Sequence, residues 1–205
     1  MNDAYLKPYL DAQAKHGSHF DVTMWARPQT QRRRFEVFSQ MLFLEGKTVL
    51  DAGCSRGDFA AYLLERGVTY GRFIGIDGLD EVIEFARGRE LPDSRFEVGD
   101  FVKEPGLLAT GSPQVVTISG SLNTMDVATA TRVLEGAWAG CSEALGFNFL
   151  SNRCGPEAPP QEYPAQRLPL MELLDWSLTK TPNVQMRQDY FDHGHDATIL
   201  MRKDA

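Results

Sequence analysis

The chain has 205 residues, of which 42% are hydrophobic and 24% are charged, and its formal net charge is −7. This length suits one domain with a single core, and the composition is typical of a globular protein rather than a disordered or fibrous one. The acidic balance argues against nucleic acid as a partner, because proteins that bind a phosphate backbone carry a basic surface. We therefore expect a single domain over residues 1–205 with no DNA partner, and a small molecule or a protein as its substrate.

The sequence has no feature that predicts a membrane or extracellular location. Its longest apolar runs, such as residues 41–44, fall far short of the ~20 residues that a spanning helix needs. The first residues lack the basic start and apolar centre of a secretory signal, so we expect a cytoplasmic protein with no membrane partner. Cys54, Cys141 and Cys154 have neither the count of a disulfide framework nor the spacing of a zinc site. We interpret them as reduced structural thiols in a protein without a metal.

Residues 1–46 are predicted to form a helical lid before a core at residues 47–205. Apolar residues at helical spacing predict a first helix over 3–15. A second helix is predicted to begin at Thr30, as its N-cap, and to end at about residue 45. Plain packing of these helices against the edge of the sheet is the alternative to a lid.

Residues 48–59 predict a strand, a tight turn and the start of a helix. The β-branched and apolar beginning suits a buried strand, and Gly53 and Gly57 permit the turn. Such a turn places main-chain N–H groups at a helix start beside a strand end, where they can bind a ligand. A dinucleotide fingerprint would need glycine in place of Ser55 and Asp58, and the Asp58 carboxylate would repel a pyrophosphate. We therefore expect a nucleotide-type ligand without a phosphate at this turn.

An acidic residue closes the next predicted strand. A strand over 71–77 completes a βαβ unit, and Asp77 follows Gly57 by 20 residues. This is about the interval at which an acidic residue meets the ribose hydroxyls of a bound nucleotide. The alternative is that Asp77 only caps the helix predicted over 79–89.

The middle of the chain continues the alternation of strands and helices. A third strand over 95–101 includes Asp100, whose alternative role is to cap a short segment over 101–108. The fourth strand and its exit loop are predicted over 114–122, at the midline where sheets of this class bind ligands. Apolar residues at helical spacing then predict a helix over 126–141 that covers the sheet.

The last third of the chain predicts one more strand, a long loop, a helix and a hairpin. The fifth strand is predicted over 146–151, and four prolines within residues 152–165 prevent regular structure there. A loop of this length is usually functional or mobile, so we interpret it as the substrate side of the site, with a plain surface loop as the alternative. A helix over 166–178 precedes two strands, 184–191 and 196–202, that are predicted to form a hairpin.

Asp51, Gly53 and Gly57 match the first motif of the class I S-adenosylmethionine-dependent methyltransferases, an acidic residue followed by G-x-G-x-G, from which Ser55 departs. The chain resembles this family also in its order of elements, which ends in a hairpin. The resemblance implies an α/β fold with a doubly wound, Rossmann-like sheet of seven strands, mostly parallel and covered by helices on both faces. It also implies S-adenosylmethionine as the cofactor.

The resemblance assigns parts of the cofactor to particular residues. Asp51 is expected at the amino-acid end, Asp77 at the ribose and Asp100 at the adenine amino group. Arg34 or Arg56 is expected to meet the cofactor carboxylate. Further contacts are expected from the first turn, the adenine pocket and the exit of the fourth strand, namely Gly53, Cys54, Ser55, Gly57, Gly78, Leu79, Phe101, Ser119 and Gly120.

More narrowly, the chain is similar to a little-described group of bacterial methyltransferases with four further motifs. These are a tryptophan and Q-x-x-R-F before the cofactor turn, and D-Y and D-x-T near the end, matched by Trp25 and by residues 31–35, 189–190 and 196–198. The N-P-P-[YF] signature of amino methyltransferases is absent after the fourth strand, which argues against DNA adenine methylation.

Methyl transfer from a sulfonium is an in-line displacement, so alignment of donor and acceptor matters most and a general base is optional. The candidate bases and polar groups have no diagnostic spacing: His16, Arg153, Tyr163, His193 and His195. The sequence thus predicts methyl transfer from S-adenosylmethionine to an unidentified small-molecule acceptor, with the catalytic residues unassigned. A nicotinamide-dependent oxidoreductase and a non-catalytic module that binds S-adenosylmethionine are the alternatives.

Overall fold

A computed structural model describes residues 3–203 of the chain. Within this part, the α-helices are α1 (Lys7–His16), α2 (Pro28–Met41), α3 (Asp58–Glu65), α4 (Asp80–Gly88), α5 (Val127–Gly140) and α6 (Leu170–Lys180). The strands are β1 (Thr48–Ala52), β2 (Arg72–Asp77), β3 (Ser94–Val98), β4 (Val115–Ser119), β5 (Ala144–Leu150), β6 (Val184–Arg187) and β7 (Asp196–Arg202). Short 3-10 turns at Asp3–Tyr5 and Phe20–Thr23 flank α1.

The seven strands form one sheet in the order β3-β2-β1-β4-β5-β7-β6. Strands β1 to β5 are parallel, whereas β7 is antiparallel to both β5 and β6. The predicted mostly parallel sheet with a C-terminal antiparallel hairpin is therefore confirmed. The strand order reverses between β1 and β4, and such a switch point opens a crevice at the carboxyl ends of the strands.

Both faces of the sheet are covered, because neighbouring residues of each central strand point to opposite sides. Val49 of β1 packs with α2, α3 and α4, whereas Leu50 packs with α5 and α6. Both side chains are fully buried. This arrangement explains the continuous apolar runs of the central strands and gives the doubly wound architecture that the sequence predicts.

Several predicted boundaries differ from the structure. Helix α2 begins at Pro28, which is tolerated in the first turn because its missing N–H is not needed there. Thr30 lies inside this helix, where its hydroxyl donates to the carbonyl of Arg27, so it is not the N-cap. The predicted end at about residue 45 was also wrong, because α2 ends at Met41.

Two C-terminal boundaries were also misplaced. The predicted helix over 166–178 begins only at Leu170, because the segment before it runs beside β5, where the Leu168 N–H donates to the carbonyl of Leu150. Strand β6 ends at Arg187, so the hairpin connection covers residues 188–195 and is longer than the four residues predicted.

The N-terminal elements pack beside the carboxyl end of β2. Val22, Leu79 and Val82 form a small apolar cluster against which Leu6 and Tyr9 pack. Gln13 of α1 also donates to the Asp80 carboxylate at the start of α4, at 2.9 Å. Across residues 3–203, no helix is long and apolar enough to cross a bilayer.

Candidate functional site

A cavity of about 650 Å³ lies at the carboxyl ends of β1, β2 and β4, at the switch point of the sheet. This volume is within the range of small-molecule sites in proteins. The N-terminal elements, the turns after the strands and the segment 159–165 enclose it. All the predicted cofactor residues line this cavity except two. Gly57 lies at the N-terminus of α3, and Arg56, the alternative to Arg34, has its guanidinium over the Phe85 ring.

The turn after β1 brings the main chain close to the cavity. Gly53 has a φ of +80°, and a Cβ at this position would lie 1.8 Å from Ser121 Oγ. Any larger residue would therefore be strained by its backbone and would also clash with the turn after β4. The Gly53 and Cys54 N–H groups both donate to the carbonyl of Ile76, which fixes the turn against β2. The buried Cys54 side chain leaves its main chain as the part available to a ligand.

Asp77 joins the turns that follow β1 and β2. One of its carboxylate oxygens accepts from the Ser55 N–H at 2.8 Å and the other from the Leu79 N–H at 3.0 Å. Burial raises the pKa of Asp77 to about 6, against the opposing effect of these hydrogen bonds. Each carboxylate oxygen keeps a lone pair toward the cavity, so the group can still accept hydrogen bonds from a ligand.

Asp51 lies deeper, in the middle of the sheet. It is 2% exposed and accepts a hydrogen bond of 2.8 Å from the Thr117 hydroxyl on the adjacent strand β4. Burial, together with the negative charge of Asp77, raises the pKa of Asp51 to about 7, against the opposing effect of the Thr117 hydrogen bond. A positively charged ligand group would favour the ionised form of both carboxylates.

Asp100 both shapes its own turn and contacts the N-terminal segment. Its Oδ1 accepts from the Val102 N–H at 3.1 Å, which is the capping role that the sequence left open. Its Oδ2 accepts from the Tyr5 hydroxyl at 2.7 Å. Phe101 lies beside it, mostly buried in the core beneath the cavity. The N-terminal segment therefore contacts the residue that was predicted to bind adenine.

The same N-terminal segment covers the turn after β2. A Cβ on Gly78 would lie 3.0 Å from the Leu6 side chain. Leu79 is 3% exposed and packs with Val22 and Val82, although it also borders the cavity. An apolar slot thus lies between the N-terminal elements and the ends of β2 and β3.

The exit of β4 leads toward the other end of the cavity. Ser119 accepts a hydrogen bond of 3.3 Å from the Asn148 side chain on β5. Gly120 has a φ of +79°, and a Cβ there would lie 2.3 Å from the Trp25 ring. The contact between Gly120 and Trp25 therefore requires glycine and places an indole ring directly on the predicted cofactor wall.

Residues from all four of the narrower motifs, two near the N-terminus and two near the C-terminus, meet around the Arg34 guanidinium. We call this group, with the adjacent Phe191, the Arg34 cluster; its members are Trp25, Arg34, Tyr190, Phe191, Asp196 and Thr198. The Arg34 guanidinium donates from Nε to Asp196 at 2.8 Å and also from Nη2. Its carbon Cζ lies 4.1 Å from the Trp25 ring centre and 4.7 Å from that of Phe191. The charge of Arg34 is therefore already paired where the guanidinium borders the cavity.

Tyr190 completes the hydrogen bonding of this cluster. Its hydroxyl donates to Asp196 at 2.6 Å and lies 2.8 Å from the Thr198 hydroxyl. Burial raises the pKa of the Tyr190 hydroxyl, and the Asp196 charge raises it further. Asp189, the other member of its motif, lies outside the cluster and pairs with Arg187 at the surface.

The proline-rich loop forms part of the cavity wall. Residues 159–165 line the cavity, and Arg167 anchors this segment by donating to the carbonyls of Pro159, Ser151 and His195. The Gly155 N–H also donates to the carbonyl of His193 in the hairpin connection. The segment 159–165 is thus tied to the cavity wall rather than free on the surface, and its substrate-side role stays a prediction.

Sequence reasoning missed several lining residues that belong to no cofactor motif: Leu6, Val22, Ser121, Thr124, Leu150 and Arg167. Their positions depend on how distant segments pack, and no local pattern marks them. Among residues 3–203, no group of three or more His, Cys, Asp or Glu side chains is arranged to hold a metal ion. The three cysteines are free thiols.

A family model described as a methyltransferase domain matches residues 49–142. This region runs from β1 to just beyond α5 and includes Asp51, Asp77 and Asp100. A comparison with curated protein sequences gives no match.

Solved structures with the same fold include several methyltransferases. One is a SAM-dependent methyltransferase from Archaeoglobus fulgidus, with 15% identity, a TM-score of 0.64, and coverage of 89% of this chain and 97% of the other. A second is magnesium protoporphyrin IX methyltransferase from Synechocystis with bound SAM, with 12% identity, a TM-score of 0.69, and coverage of 100% and 98%.

A third is the plantazolicin methyltransferase BpumL in complex with SAH, with 15% identity, a TM-score of 0.69, and coverage of 98% and 95%. Structural likeness at 12–15% identity establishes the fold alone. The assignment of methyltransferase activity rests on the domain matched over residues 49–142. The chain therefore carries a methyltransferase domain over residues 49–142, on a fold that solved S-adenosylmethionine-dependent methyltransferases share.

Proposed function

We propose that this enzyme methylates a small molecule and binds S-adenosylmethionine along the turns that follow β1, β2, β3 and β4. The observation that carries the proposal is the position of Asp77, which faces the cavity while its carboxylate holds the Ser55 and Leu79 N–H groups. When bound, the cofactor supplies an electrophilic methyl group on a sulfonium whose leaving group becomes neutral.

In this proposal, three carboxylates hold the donor in place. Asp77 accepts hydrogen bonds from the two ribose hydroxyls, and Asp100 accepts one from the adenine amino group beside Tyr5. Asp51 attracts the positively charged amino group at the amino-acid end of the cofactor. The glycine positions support the assignment, since a Cβ at Gly53 or Gly78 would reduce the room for a ligand along the main chain. Solved structures with this fold contain SAM or SAH.

Arg34 is proposed to donate hydrogen bonds to the cofactor carboxylate, although its positive charge is already balanced by Asp196. Its guanidinium already balances Asp196 and donates from Nη1 to the carbonyl of Thr30 at 2.9 Å. Arg34 has five N–H donors, so donors remain for a carboxylate. Its closest stacking partner, Trp25, touches Gly120, which brings the guanidinium near the end of β4.

Residues 1–46 are proposed to act as the lid over the cofactor. Within the described part, Tyr5 bonds Asp100, Leu6 covers Gly78, and Gln13 bonds Asp80. A closed lid excludes water and holds donor and acceptor aligned, which is the main requirement of methyl transfer. The enclosed cavity supports a small-molecule acceptor over a macromolecule.

Calorimetric titration with S-adenosylmethionine, S-adenosylhomocysteine and NADH tests the cofactor assignment. We expect the first two to bind and NADH not to bind. Replacement of Asp77 by Asn keeps an acceptor for the Ser55 N–H but removes the negative charge. We expect this variant to bind S-adenosylhomocysteine about 10- to 100-fold more weakly than the parent enzyme.

The matched control is Asp175→Asn, which makes the same substitution at an exposed position of α6. Its affinity for S-adenosylhomocysteine should equal that of the parent enzyme. Binding of NADH alone, or equal affinities in Asp77→Asn and the parent, would overturn the proposed cofactor site.

A further inference from the structure

The end of the cavity beyond the predicted cofactor residues has a mainly apolar wall. It is lined by Trp25, Leu150, the segment 159–165, Arg167 and His195. Three prolines and an indole ring contribute flat surfaces, and the exposed Glu162 lies at the mouth. Such a wall favours a planar acceptor.

The cations at this end of the cavity are already engaged. Arg34 pairs with the fully buried carboxylate of Asp196, and Arg167 donates to three main-chain carbonyls. Binding of a charged acceptor here would require a new partner for its charge, because a buried charge is costly unless it is paired. The wall therefore disfavours a negatively charged acceptor.

His195 contributes a polar ring to this otherwise apolar wall. Its imidazole stacks on Phe191, with ring centres 4.9 Å apart and planes 25° apart. Its main-chain carbonyl accepts from the Ser151 N–H at 3.0 Å, which fixes its backbone against the end of β5. Nδ1 is buried and has no hydrogen-bond partner, and the residue lines the cavity.

The surroundings of His195 favour its neutral form. Burial is the main cause that lowers the pKa of His195. The Asp196 charge opposes this effect, whereas Arg34, Arg167 and His193 add to it. The imidazole is consequently uncharged at neutral pH and can accept a proton.

We propose, building on the function proposed above, that the acceptor is an uncharged hydroxylated aromatic ring and that His195 Nε2 takes the proton of its hydroxyl. The ring lies against Trp25 and the proline-lined segment 159–165. His195 is then a catalytic residue that no cofactor motif contains.

The step balances as follows. A lone pair of the hydroxyl oxygen forms the new bond to the methyl carbon, while the sulfur–carbon bond of the sulfonium breaks and its electron pair stays on sulfur. The hydroxyl proton passes to Nε2 of His195, which becomes an imidazolium and later releases the proton to solvent. The products are an aryl methyl ether, a neutral thioether and one proton.

The test uses His195→Gln and, as a matched control, His193→Gln, which alters a histidine of the same connection that does not line the cavity. Both variants and the parent are titrated with S-adenosylhomocysteine. Each is then assayed for methyl transfer from labelled S-adenosylmethionine to 4-nitrophenol, catechol and 2-naphthol, and to a matched panel of amines, thiols and carboxylic acids.

We expect methylation of at least one phenol by the parent enzyme and by His193→Gln. In His195→Gln we expect kcat to fall about 100- to 10,000-fold, as for loss of a general base, while the affinity for S-adenosylhomocysteine stays within about threefold. The parent rate should also fall on the acid side as His195 is protonated, and this limb should be missing from the residual rate of His195→Gln.

A spectroscopic measurement tests the proton transfer without turnover. With S-adenosylhomocysteine bound, 4-nitrophenol titrated with pH should develop its visible nitrophenolate band at a lower pH in the parent than in His195→Gln, because only the parent offers an acceptor for the proton. His195→Asn serves as a second variant if His195→Gln fails to bind S-adenosylhomocysteine.

Methylation of amines, thiols or carboxylic acids with none of the phenols would overturn this inference while leaving the proposed cofactor site intact. Equal kcat values in His195→Gln and the parent would also overturn it. Failure of the parent enzyme to bind S-adenosylmethionine would instead contradict the function proposed above.

Discussion

The two ends of the cavity are built in different ways. The cofactor end consists of short turns that directly follow β1, β2 and β4, and main-chain hydrogen bonds such as Gly53 to Ile76 fix it. The acceptor end consists of segments far apart in sequence, held by side-chain contacts such as Arg34 to Asp196. The first end depends on backbone geometry, whereas the second depends on the pairing of a few buried polar side chains.

The largest expected effect comes from breaking the Arg34 cluster. Arg34→Leu leaves the carboxylate of Asp196, which is fully buried, without its cation, and we expect the free energy of unfolding to fall by about 3–5 kcal/mol. The measurement is urea denaturation followed by circular dichroism. Arg32→Leu on the same helix breaks a surface pair with Glu65 and should change stability little. Equal stability losses in the two variants would show that the cluster does not hold the acceptor end.

The second prediction concerns the buried carboxylates at the cofactor end. The folded pKa of Asp51, about 7, lies above its ordinary value of 3.8, so between these values the folded state binds more protons than the unfolded state. The contribution of Asp51 to the free energy of unfolding should therefore be most favourable below about pH 4 and should fall as the pH rises to about 7, by at most about 1.4 kcal/mol per pH unit.

Denaturation of the ligand-free enzyme across this pH range measures the effect. Asp51→Asn should flatten the curve, and the remaining slope up to about pH 6 should come from Asp77. A slope that Asp51→Asn leaves unchanged would mean that another group titrates.

The third prediction separates steric from conformational demands at the cofactor turn. Gly53→Ala places a Cβ 1.8 Å from Ser121 Oγ and also strains a positive φ, so we expect loss of S-adenosylhomocysteine binding in calorimetry. Gly46→Ala has a similar φ of +68° but no atom within 4 Å, and it should lose only about 1–2 kcal/mol of stability. Adding Ser121→Gly to Gly53→Ala should restore part of the binding, and no restoration would place the defect in the backbone.

The smallest effect is expected from the proposed lid. Tyr5→Phe removes the hydrogen bond to Asp100 and should speed S-adenosylhomocysteine dissociation about two- to tenfold, since one such bond contributes about 0.5–1.5 kcal/mol. Stopped-flow displacement measures this rate. Tyr70→Phe is the control, because it also removes one tyrosine hydrogen bond, that with Ser94, but at a residue that does not line the cavity, and it should leave the rate unchanged. Identical rates in Tyr5→Phe and the parent would argue for plain packing of the N-terminal helices.

The contrast between the two ends also explains what the sequence could predict. Asp77 and Asp100 could be predicted because Asp77 closes β2 and Asp100 lies just beyond β3, and parallel strands end at one edge of a sheet. The proximity of Trp25 to Gly120, and of His195 to Arg167, could not be predicted because it depends on contacts between distant segments. Thr30 misled the placement of α2, since Pro28 already suits the first turn of a helix.

The pair formed by Arg34 and Asp196 also bears on the order in which the chain can complete its fold during synthesis. These residues are 162 positions apart, and β7, which carries Asp196, is synthesised after the strands that carry the proposed cofactor turns. The strands that carry the cofactor turns emerge earlier and contact sequential neighbours, so they can pair sooner. The Arg34 cluster should therefore assemble after these turns, and a nascent chain that lacks residues 188–203 would expose Arg34 without its carboxylate.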